Sequence, residues 1–251
     1  MADPPNPLEE YLGQHADGRR VHKWAHYLDV YERHLAQYRG RPITMLEIGV
    51  QSGGSLRMWR DYFGPAARVV GVDIDPRCAR LEDPDTTVVI GDQEDPRFMA
   101  SLAERFGPFD VVIDDGGHTM AQQACTLEVL WPAIRTGGVL IVEDLHTSYW
   151  SDFGGGVGQP GTFIERLKRM IDSMHARHSR EPNALGEDIF TGTVRGMHVY
   201  DSIVVLERDE VTPPEEVVVG HFTVQPETSW RRRARTAGDW ARKAWGSRDD
   251  A

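Results

Sequence analysis

The fold of this chain is decided by the stretch Met45-Leu46-Glu47-Ile48-Gly49-Val50-Gln51-Ser52-Gly53-Gly54-Ser55. The apolar run 43–48 predicts a buried strand, and the helical spacing that begins at Ser55 predicts a helix after a glycine-rich turn. In α/β proteins such a unit brings backbone N–H groups close to a polar ligand. The stretch therefore predicts a nucleotide-like ligand, with an ordinary tight turn as the simpler alternative.

The residues around this turn suit a cationic ligand better than a pyrophosphate. The turn lacks the spacing G-x-G-x-x-G, and no lysine directly follows its glycines. A carboxylate, Glu47, stands before the turn instead, where it suits an ammonium or sulfonium group. The next predicted strand ends at Asp73, at about the twenty-residue spacing of a ribose-binding acid.

The rest of the chain alternates between predicted strands and helices. The strands are 43–48, 68–73, 87–91, 109–114 and 138–143, followed by a tight pair at 195–200 and 202–207. The helices are 21–38, 55–63, 76–82, 95–106, 119–134 and 162–178, and residues 1–18 form a polar lead-in. Repeated strand–helix units predict an α/β fold with a doubly wound, mostly parallel sheet.

We expect three segments: an N-terminal helical lead-in at 1–42, a ligand-binding domain at 43–208 and a C-terminal extension at 209–251. Within the domain, the loop 145–161 is long and rich in aromatic residues and glycine. A long loop of this composition favours a lid or substrate loop, and disorder is the alternative. In the extension, Trp230, Ala234, Ala237, Ala241 and Trp245 predict a basic amphipathic helix that joins subunits into a homo-oligomer. Binding to a membrane surface and a disordered tail are its alternatives.

Composition limits the partners and the location. The chain has 251 residues, a hydrophobic content of 40% and a net charge of −11. The size allows one sizeable core, and the acidic balance argues against a nucleic-acid partner. The N-terminal residues carry no signal pattern and no apolar run has membrane-spanning length, so we expect a cytoplasmic protein without a membrane partner. The two cysteines, Cys78 and Cys125, are expected as buried free thiols.

Acidic side chains gather where parallel strands end. Asp115, Glu143 and Asp144 follow two predicted strands, and oxygen ligands of this kind suit a hard divalent ion, magnesium first, with manganese or calcium as alternatives. The simpler alternatives are a turn-forming Asp115 and a solvated strand end. His118 follows on the same turn as Asp115, where a histidine can act as general base. An exposed or helix-capping histidine is the alternative, and His146 is a rival for the same role.

Taken together, these motifs resemble one family. They are Glu47-Ile-Gly-Val, Gly54-Ser-Leu-Arg-Met-Trp59, Val72-Asp-Ile-Asp75, Gly91-Asp-Gln93, Ile113-Asp-Asp-Gly-Gly-His118 and Ile141-Val-Glu-Asp-Leu-His146 with Thr147-Ser-Tyr-Trp150. The family is that of the S-adenosylmethionine- and metal-dependent O-methyltransferases that modify sugars of bacterial natural products. It includes mycinamicin and rhamnosyl O-methyltransferases, among them the rhamnose O-methyltransferase of calicheamicin assembly, and relatives named cephalosporin hydroxylases.

The resemblance implies a class I methyltransferase fold, with an antiparallel last strand, that methylates a rhamnose-type sugar of a glycosylated natural product. It also implies roles for individual residues. The methionine part of the cofactor would lie on Glu47, Gly49, Ser52 and Ser55, the ribose on Asp73, and the adenine beside Asp92, Gln93 and Asp114. Lys23, within the entry helix, would lie near the cofactor. Magnesium would be held by Asp115, Glu143 and Asp144, with His118 as the base.

Two other functions remain open at this point. One is an auxiliary cofactor-binding subunit of an antibiotic tailoring complex, against which the intact set Asp115, His118, Glu143 and Asp144 argues. The other is a nicotinamide-dependent oxidoreductase, against which the turn spacing and Glu47 argue.

Overall fold

The computed structural model of the protein describes residues 5–181, 184–221 and 223. Within them, seven strands form one sheet in the order β3-β2-β1-β4-β5-β7-β6. The strands are β1 Thr44–Ile48, β2 Arg68–Asp73, β3 Thr86–Ile90, β4 Phe109–Asp114, β5 Ile134–Val142, β6 Val194–Tyr200 and β7 Ile203–Arg208. Strands β1 to β5 pair in parallel, and β7 runs antiparallel to both β5 and β6. The predicted doubly wound sheet with an antiparallel last strand is confirmed.

Helices cover both faces of the sheet. They are α1 Pro7–Gln14, α2 Tyr27–Leu35, α3 Gly54–Phe63, α4 Pro96–Phe106, α5 Met120–Leu130 and α6 Phe163–His175. Side chains alternate between faces along a strand, so Met45 packs with the cluster that includes α1, α2 and α3, and Leu46 packs with the one that includes α4, α5 and α6. Because both faces are buried, the central strands are apolar almost throughout.

The N-terminal segment differs from its prediction in two ways. Helix α1 was not predicted; Asn6 caps it by accepting a hydrogen bond from Leu8 N at 3.0 Å, and the Leu8 side chain is fully buried. Helix α2 begins at Tyr27, and residues 20–24 are not helical. The prediction that Lys23 lies within the entry helix is therefore wrong. The non-helical backbone instead leads this lysine into the protein interior.

The loop at 145–161 contains two short 3₁₀ turns, Leu145–Tyr149 and Ser151–Phe153. Cys78 and Cys125 are buried free thiols, as predicted. In the part of the chain that the structure describes, no helix has both the length and the apolar character needed to cross a bilayer.

By its internal contacts, the chain divides into a compact unit Met1–Pro213 and a second unit Pro214–Ala251. In the second unit, residues 214–221 and 223 are exposed and form neither helix nor strand. The predicted basic helix at 230–245 lies outside the described residues.

Candidate active site

A cavity of about 660 Å³ opens at the carboxyl ends of the parallel strands. It lies where β1 and β4 are neighbours and the strand order reverses, which is the usual ligand position in open α/β sheets. Its wall is formed by residues 48–52 after β1, 72–75 after β2, 91–93 after β3, 115–118 after β4, 143–144 after β5, and the non-helical segment 20–24, with Ser55, Arg77, Cys78 and Gln122.

The turn after β1 needs glycine at its first position. Gly49 has φ +97°, and a Cβ there would lie 1.9 Å from the carbonyl oxygen of Asp115. The turn is then held by Asp73, whose Oδ2 accepts hydrogen bonds from Val50 N and Gln51 N, both at 2.9 Å. The ends of β1, β2 and β4 are thus joined through backbone contacts, which gives the cavity a preformed floor.

The carboxylate of Glu47 lies behind the cavity wall. It is fully buried and accepts hydrogen bonds from Ser55 Oγ at 2.7 Å, Trp59 Nε1 at 2.9 Å and Lys23 Nζ at 3.3 Å. Burial raises the pKa of Glu47, and the Lys23 ammonium opposes that rise. Glu47 does not line the cavity, and its oxygens anchor Ser55 and Lys23, which do line it. Its contact with the ligand stays a prediction.

The three residues expected near an adenine have different surroundings. Asp114 is fully buried behind the wall, and burial raises its pKa. Its Oδ1 accepts a hydrogen bond from Gln93 Nε2 at 2.8 Å, and Gln93 Oε1 accepts one from Gly117 N at 3.1 Å. Asp92 is exposed at the rim. Gln93 and Asp114 therefore build the turn after β4, and the expected contact of Asp114 with a ligand stays a prediction.

Lys23 is the centre of a buried ion-pair group. Its Nζ lies 2.8 Å from Asp115 Oδ2, 2.9 Å from Glu143 Oε1 and 3.3 Å from Glu47 Oε1. Desolvation acts to lower the pKa of Lys23, but attraction to Glu143, Asp115 and Glu47 raises it well above its ordinary value. Tyr31 also donates its hydroxyl proton to Glu143 Oε1 at 2.5 Å. One charged lysine therefore joins the ends of β1, β4 and β5.

Beside this ion-pair group, two carboxylates and one histidine lie close together. His118 Nε2 lies 3.3 Å from Asp144 Oδ2 and 3.9 Å from Asp115 Oδ1. One ligand atom from each of the three residues lies within 4.8 Å of the other two. The remaining oxygen of Asp144, Oδ1, accepts hydrogen bonds from Trp24 Nε1 at 3.1 Å and Tyr27 Oη at 3.0 Å. The arrangement leaves one oxygen of each aspartate directed towards His118.

The backbone is strained at both ends of this arrangement. His118 and Asp144 have φ values of +57° and +54°, which residues other than glycine rarely adopt. The Thr147 hydroxyl lies 2.9 Å from the carbonyl oxygens of both residues. Strain of about 1–3 kcal/mol per residue persists only where neighbouring contacts impose it, as they commonly do at functional sites.

An exposed aromatic surface lies beside Asp144. The His146 ring packs edge-on against Trp24 and Trp150, with ring centroids 6.2 and 4.7 Å apart, and Trp150 contacts Phe153 at 5.8 Å. Trp24 and Trp150 are each about half exposed. The Nδ1 atom of His146 is paired with the Ser202 hydroxyl, and His146 is not among the residues that line the cavity. The rival histidine thus belongs to this aromatic surface and not to the lining of the cavity.

Trp24, Tyr27 and Tyr31 were missed as site residues by sequence reasoning. Their spacing, together with the apolar residues around them, indicates the buried face of a helix, and nothing local to them shows that their polar atoms reach Asp144 and Glu143. Those contacts join residues that lie 112 to 120 positions apart in the chain.

The family comparison agrees with this geometry. Residues 46–145 match the sequence family described as "Methyltransferase domain". This part of the chain is similar to a methyltransferase domain. Its span begins in β1 and ends just after Asp144, so it includes the glycine turn and the acidic strand ends.

Several relatives of this chain act on sugar-bearing natural products, by their names. The chain is 36% identical over 214 residues to the 8-demethyl-8-(2-methoxy-alpha-L-rhamnosyl)-tetracenomycin-C 3'-O-methyltransferase of Streptomyces olivaceus, a match that covers 81% of this chain and 54% of the relative. It is 36% identical over 189 residues to the mycinamicin VI 2''-O-methyltransferase of Micromonospora griseorubida, covering 71% and 47%. The chain thus spans about half the length of these curated relatives.

A solved structure extends the comparison. The MycE methyltransferase from the mycinamycin biosynthetic pathway, in complex with Mg, SAH and mycinamycin VI, superposes with a TM-score of 0.75 at 29% identity. The superposition covers 92% of this chain and 60% of MycE. The class I methyltransferase fold and the predicted resemblance to sugar O-methyltransferases are both confirmed.

Proposed function

We propose that this methyltransferase transfers a methyl group from S-adenosylmethionine to a sugar hydroxyl of a glycosylated natural product. The observation that carries the proposal is the position of His118, Asp115 and Asp144 at the edge of a cavity whose floor is the glycine turn and Asp73. The cofactor and the reacting hydroxyl then lie side by side. The names of the tetracenomycin and mycinamicin relatives support the sugar acceptor.

The cofactor would occupy the part of the cavity nearest the turn after β1. Its volume of about 660 Å³ is within the usual range for such ligands. Gly49, Ser52 and Ser55 would surround the methionine part, and Asp73 and the exposed Asp92 would face the ribose and adenine. Glu47, from behind the wall, holds Ser55 in place, and Lys23, within the wall, holds the acidic strand ends together.

A divalent ion would be held by Asp115 and Asp144, together with the third expected carboxylate, Glu143. The donor set fits, because each aspartate keeps one oxygen near His118 and magnesium prefers oxygen ligands. Glu143 lines the same cavity, although its Oε1 is already paired with Lys23 and Tyr31. When bound, such an ion supplies positive charge that stabilises an oxygen as it loses its proton.

His118 would be the general base. A neutral Nε2 accepts the proton of the sugar hydroxyl, the hydroxyl oxygen forms a bond to the methyl carbon, and the carbon–sulfur bond of the cofactor breaks. The imidazolium that results lies beside the Asp144 and Asp115 carboxylates, which stabilise its charge. Since the leaving sulfur needs no proton, the main task of the chain is to position the oxygen and methyl group.

The acceptor would lie on the aromatic surface of Trp24, His146 and Trp150. Aromatic faces bind the apolar faces of sugar rings and aglycones, and these side chains adjoin Asp144. The loop 145–161 contributes Trp150 and Phe153 and would close over the acceptor. A rhamnose-type deoxysugar, which carries a methyl group in place of a hydroxymethyl group, suits such a surface.

Cofactor binding is tested by calorimetry on the full chain. S-adenosylhomocysteine is expected to bind and NAD is not, because the turn after β1 lacks a pyrophosphate cradle and the cavity is lined by acids. Asp73→Asn should weaken binding, whereas the exposed Asp61→Asn should not. Binding of NAD in place of S-adenosylhomocysteine would overturn the proposal.

Metal dependence is tested by methyl transfer to a rhamnosylated polyketide. We expect excess chelator to abolish transfer and magnesium to restore it, because the carboxylates alone cannot stabilise a developing negative charge. Asp144→Asn should reduce transfer strongly, with Asp172→Asn, an exposed acid on α6, as the matched control. Full transfer in excess chelator would remove the metal from the mechanism.

A further inference from the structure

We propose that His34, His198 and Glu207 form a second metal site, suited to zinc, on the face of the sheet that α2 covers. His34 comes from the last turn of α2, His198 from β6 and Glu207 from β7. One ligand atom from each residue lies within 4.8 Å of the other two. Two imidazoles and a carboxylate are a ligand set that zinc favours.

Two of the distances within this cluster are close to the spacing of ligands around a single ion. Glu207 Oε1 lies 3.2 Å from His198 Nε2 and 3.7 Å from His34 Nδ1. Ligands around a tetrahedral zinc, with bonds of about 2.0–2.1 Å, stand roughly 3.3 Å from one another. The carboxylate oxygen is therefore already near the ligand spacing from both nitrogens, and small side-chain shifts would complete the site.

The two imidazoles are oriented towards Glu207. His34 is buried, and its Nε2 lies 2.8 Å from the Tyr200 hydroxyl, so its Nδ1 is left to face the carboxylate. Histidines that bind metals are commonly held through their other ring nitrogen in this way. His198 Nε2 is buried and makes no hydrogen bond of acceptable geometry with any described residue. A buried, unsatisfied nitrogen is costly unless something binds it.

The strand pair leaves room for an ion. In the register of β6 and β7, Gly196 stands opposite Glu207, and His198 stands opposite Val205. A Cβ at Gly196 would lie 3.1 Å from Glu207 Oε2 and 3.2 Å from His198 Nε2, closer than ordinary packing allows. Because Gly196 has no side chain, the space beside Glu207 and His198 stays open.

The cluster is separate from the proposed active site. Glu207 pairs with Val139 on β5, three residues before Val142 at the carboxyl end of that strand, which is roughly 10 Å along the strand. An ion there would join α2 to the edge strands β6 and β7. Helix α2 also carries Tyr27 and Tyr31, which hold Asp144 and Glu143, so this site would stabilise the wall of the cavity.

Zinc binding to the full chain is measured by equilibrium dialysis in excess magnesium. We expect His198→Ala and Glu207→Gln each to bind one zinc equivalent fewer than the wild type. His175→Ala, which removes an exposed histidine bonded only to its own helix at Ile171 O, should bind as the wild type does. Zinc at the Asp115 group is common to all four proteins, so it cancels in the comparison.

Two further readouts separate a metal site from a folding effect. Zinc should raise the melting temperature of the wild type more than that of His198→Ala, since a ligand stabilises the state that binds it. Cobalt should give visible d–d absorption that is weaker in Glu207→Gln. The same zinc stoichiometry and the same zinc-dependent melting shift in the wild type and both variants would overturn the proposal.

Discussion

His118→Ala is expected to lower the methyl-transfer turnover by about 10²–10⁴-fold, the usual loss when a general base is removed. The side chain lies at the edge of the ion-pair group, and its ion pairs are with Asp115 and Asp144 and not with Glu47, Asp73 or the turn after β1. Calorimetry should therefore find nearly unchanged binding of S-adenosylhomocysteine.

The matched control is His146→Ala. Its ring is held between Trp24 and Trp150 and its Nδ1 pairs with Ser202, so its removal should affect acceptor binding, seen in KM, more than turnover. Wild-type turnover in His118→Ala combined with a large loss in His146→Ala would show that the base is the other histidine.

Lys23→Met is expected to destabilise the protein by about 3–5 kcal/mol, the usual cost of removing one partner from a buried ion pair. Methionine has a similar length but no charge, so the carboxylates of Glu47, Glu143 and Asp115 would be left together without their cation. Urea denaturation of the two proteins measures the difference in the free energy of unfolding.

Lys168→Met is the control for this variant. Lys168 is mostly exposed and pairs with Glu165 on the same helix, so solvent replaces the lost interaction and little change is expected. If Lys23→Met unfolded at the same urea concentration as the wild type, the buried lysine would not be needed to hold the three strand ends together.

Most of the sheet was predictable because its signals are local. Each parallel strand is a short apolar run with polar or glycine residues at its end, and the turn after β1 needs Gly49 for the close approach of Asp115. The predicted strand 138–143 begins at Ile134 instead, because the exposed segment Arg135–Gly137 extends the strand beyond its apolar part. Helix α1 was missed since a single buried residue, Leu8, gives little periodicity.

The sequence indicated where the carboxylates lie, but not which of their oxygens are already paired. The ends of parallel strands meet at one edge, so the sequence could indicate that Asp115, Glu143 and Asp144 lie near one another. It could not show that Glu143 Oε1 is already paired with Lys23 and Tyr31, because those partners lie 120 and 112 residues away. The sequence could not show the proposed zinc cluster either, since Glu207 and His34 lie on separate elements.

The sequence by itself determined the order of strands and helices, the glycine turn, and the set of acids and histidines at the strand ends, because each of these follows from neighbouring residues. Only the tertiary structure decided which of those groups remain free to contact a ligand. Burial and long-range contacts place Glu47 and Asp114 behind the wall, use Lys23 as the shared cation, and leave one oxygen each of Asp115 and Asp144 beside His118. The availability of a charged group depends on what surrounds it, and that is established only when distant segments pack together.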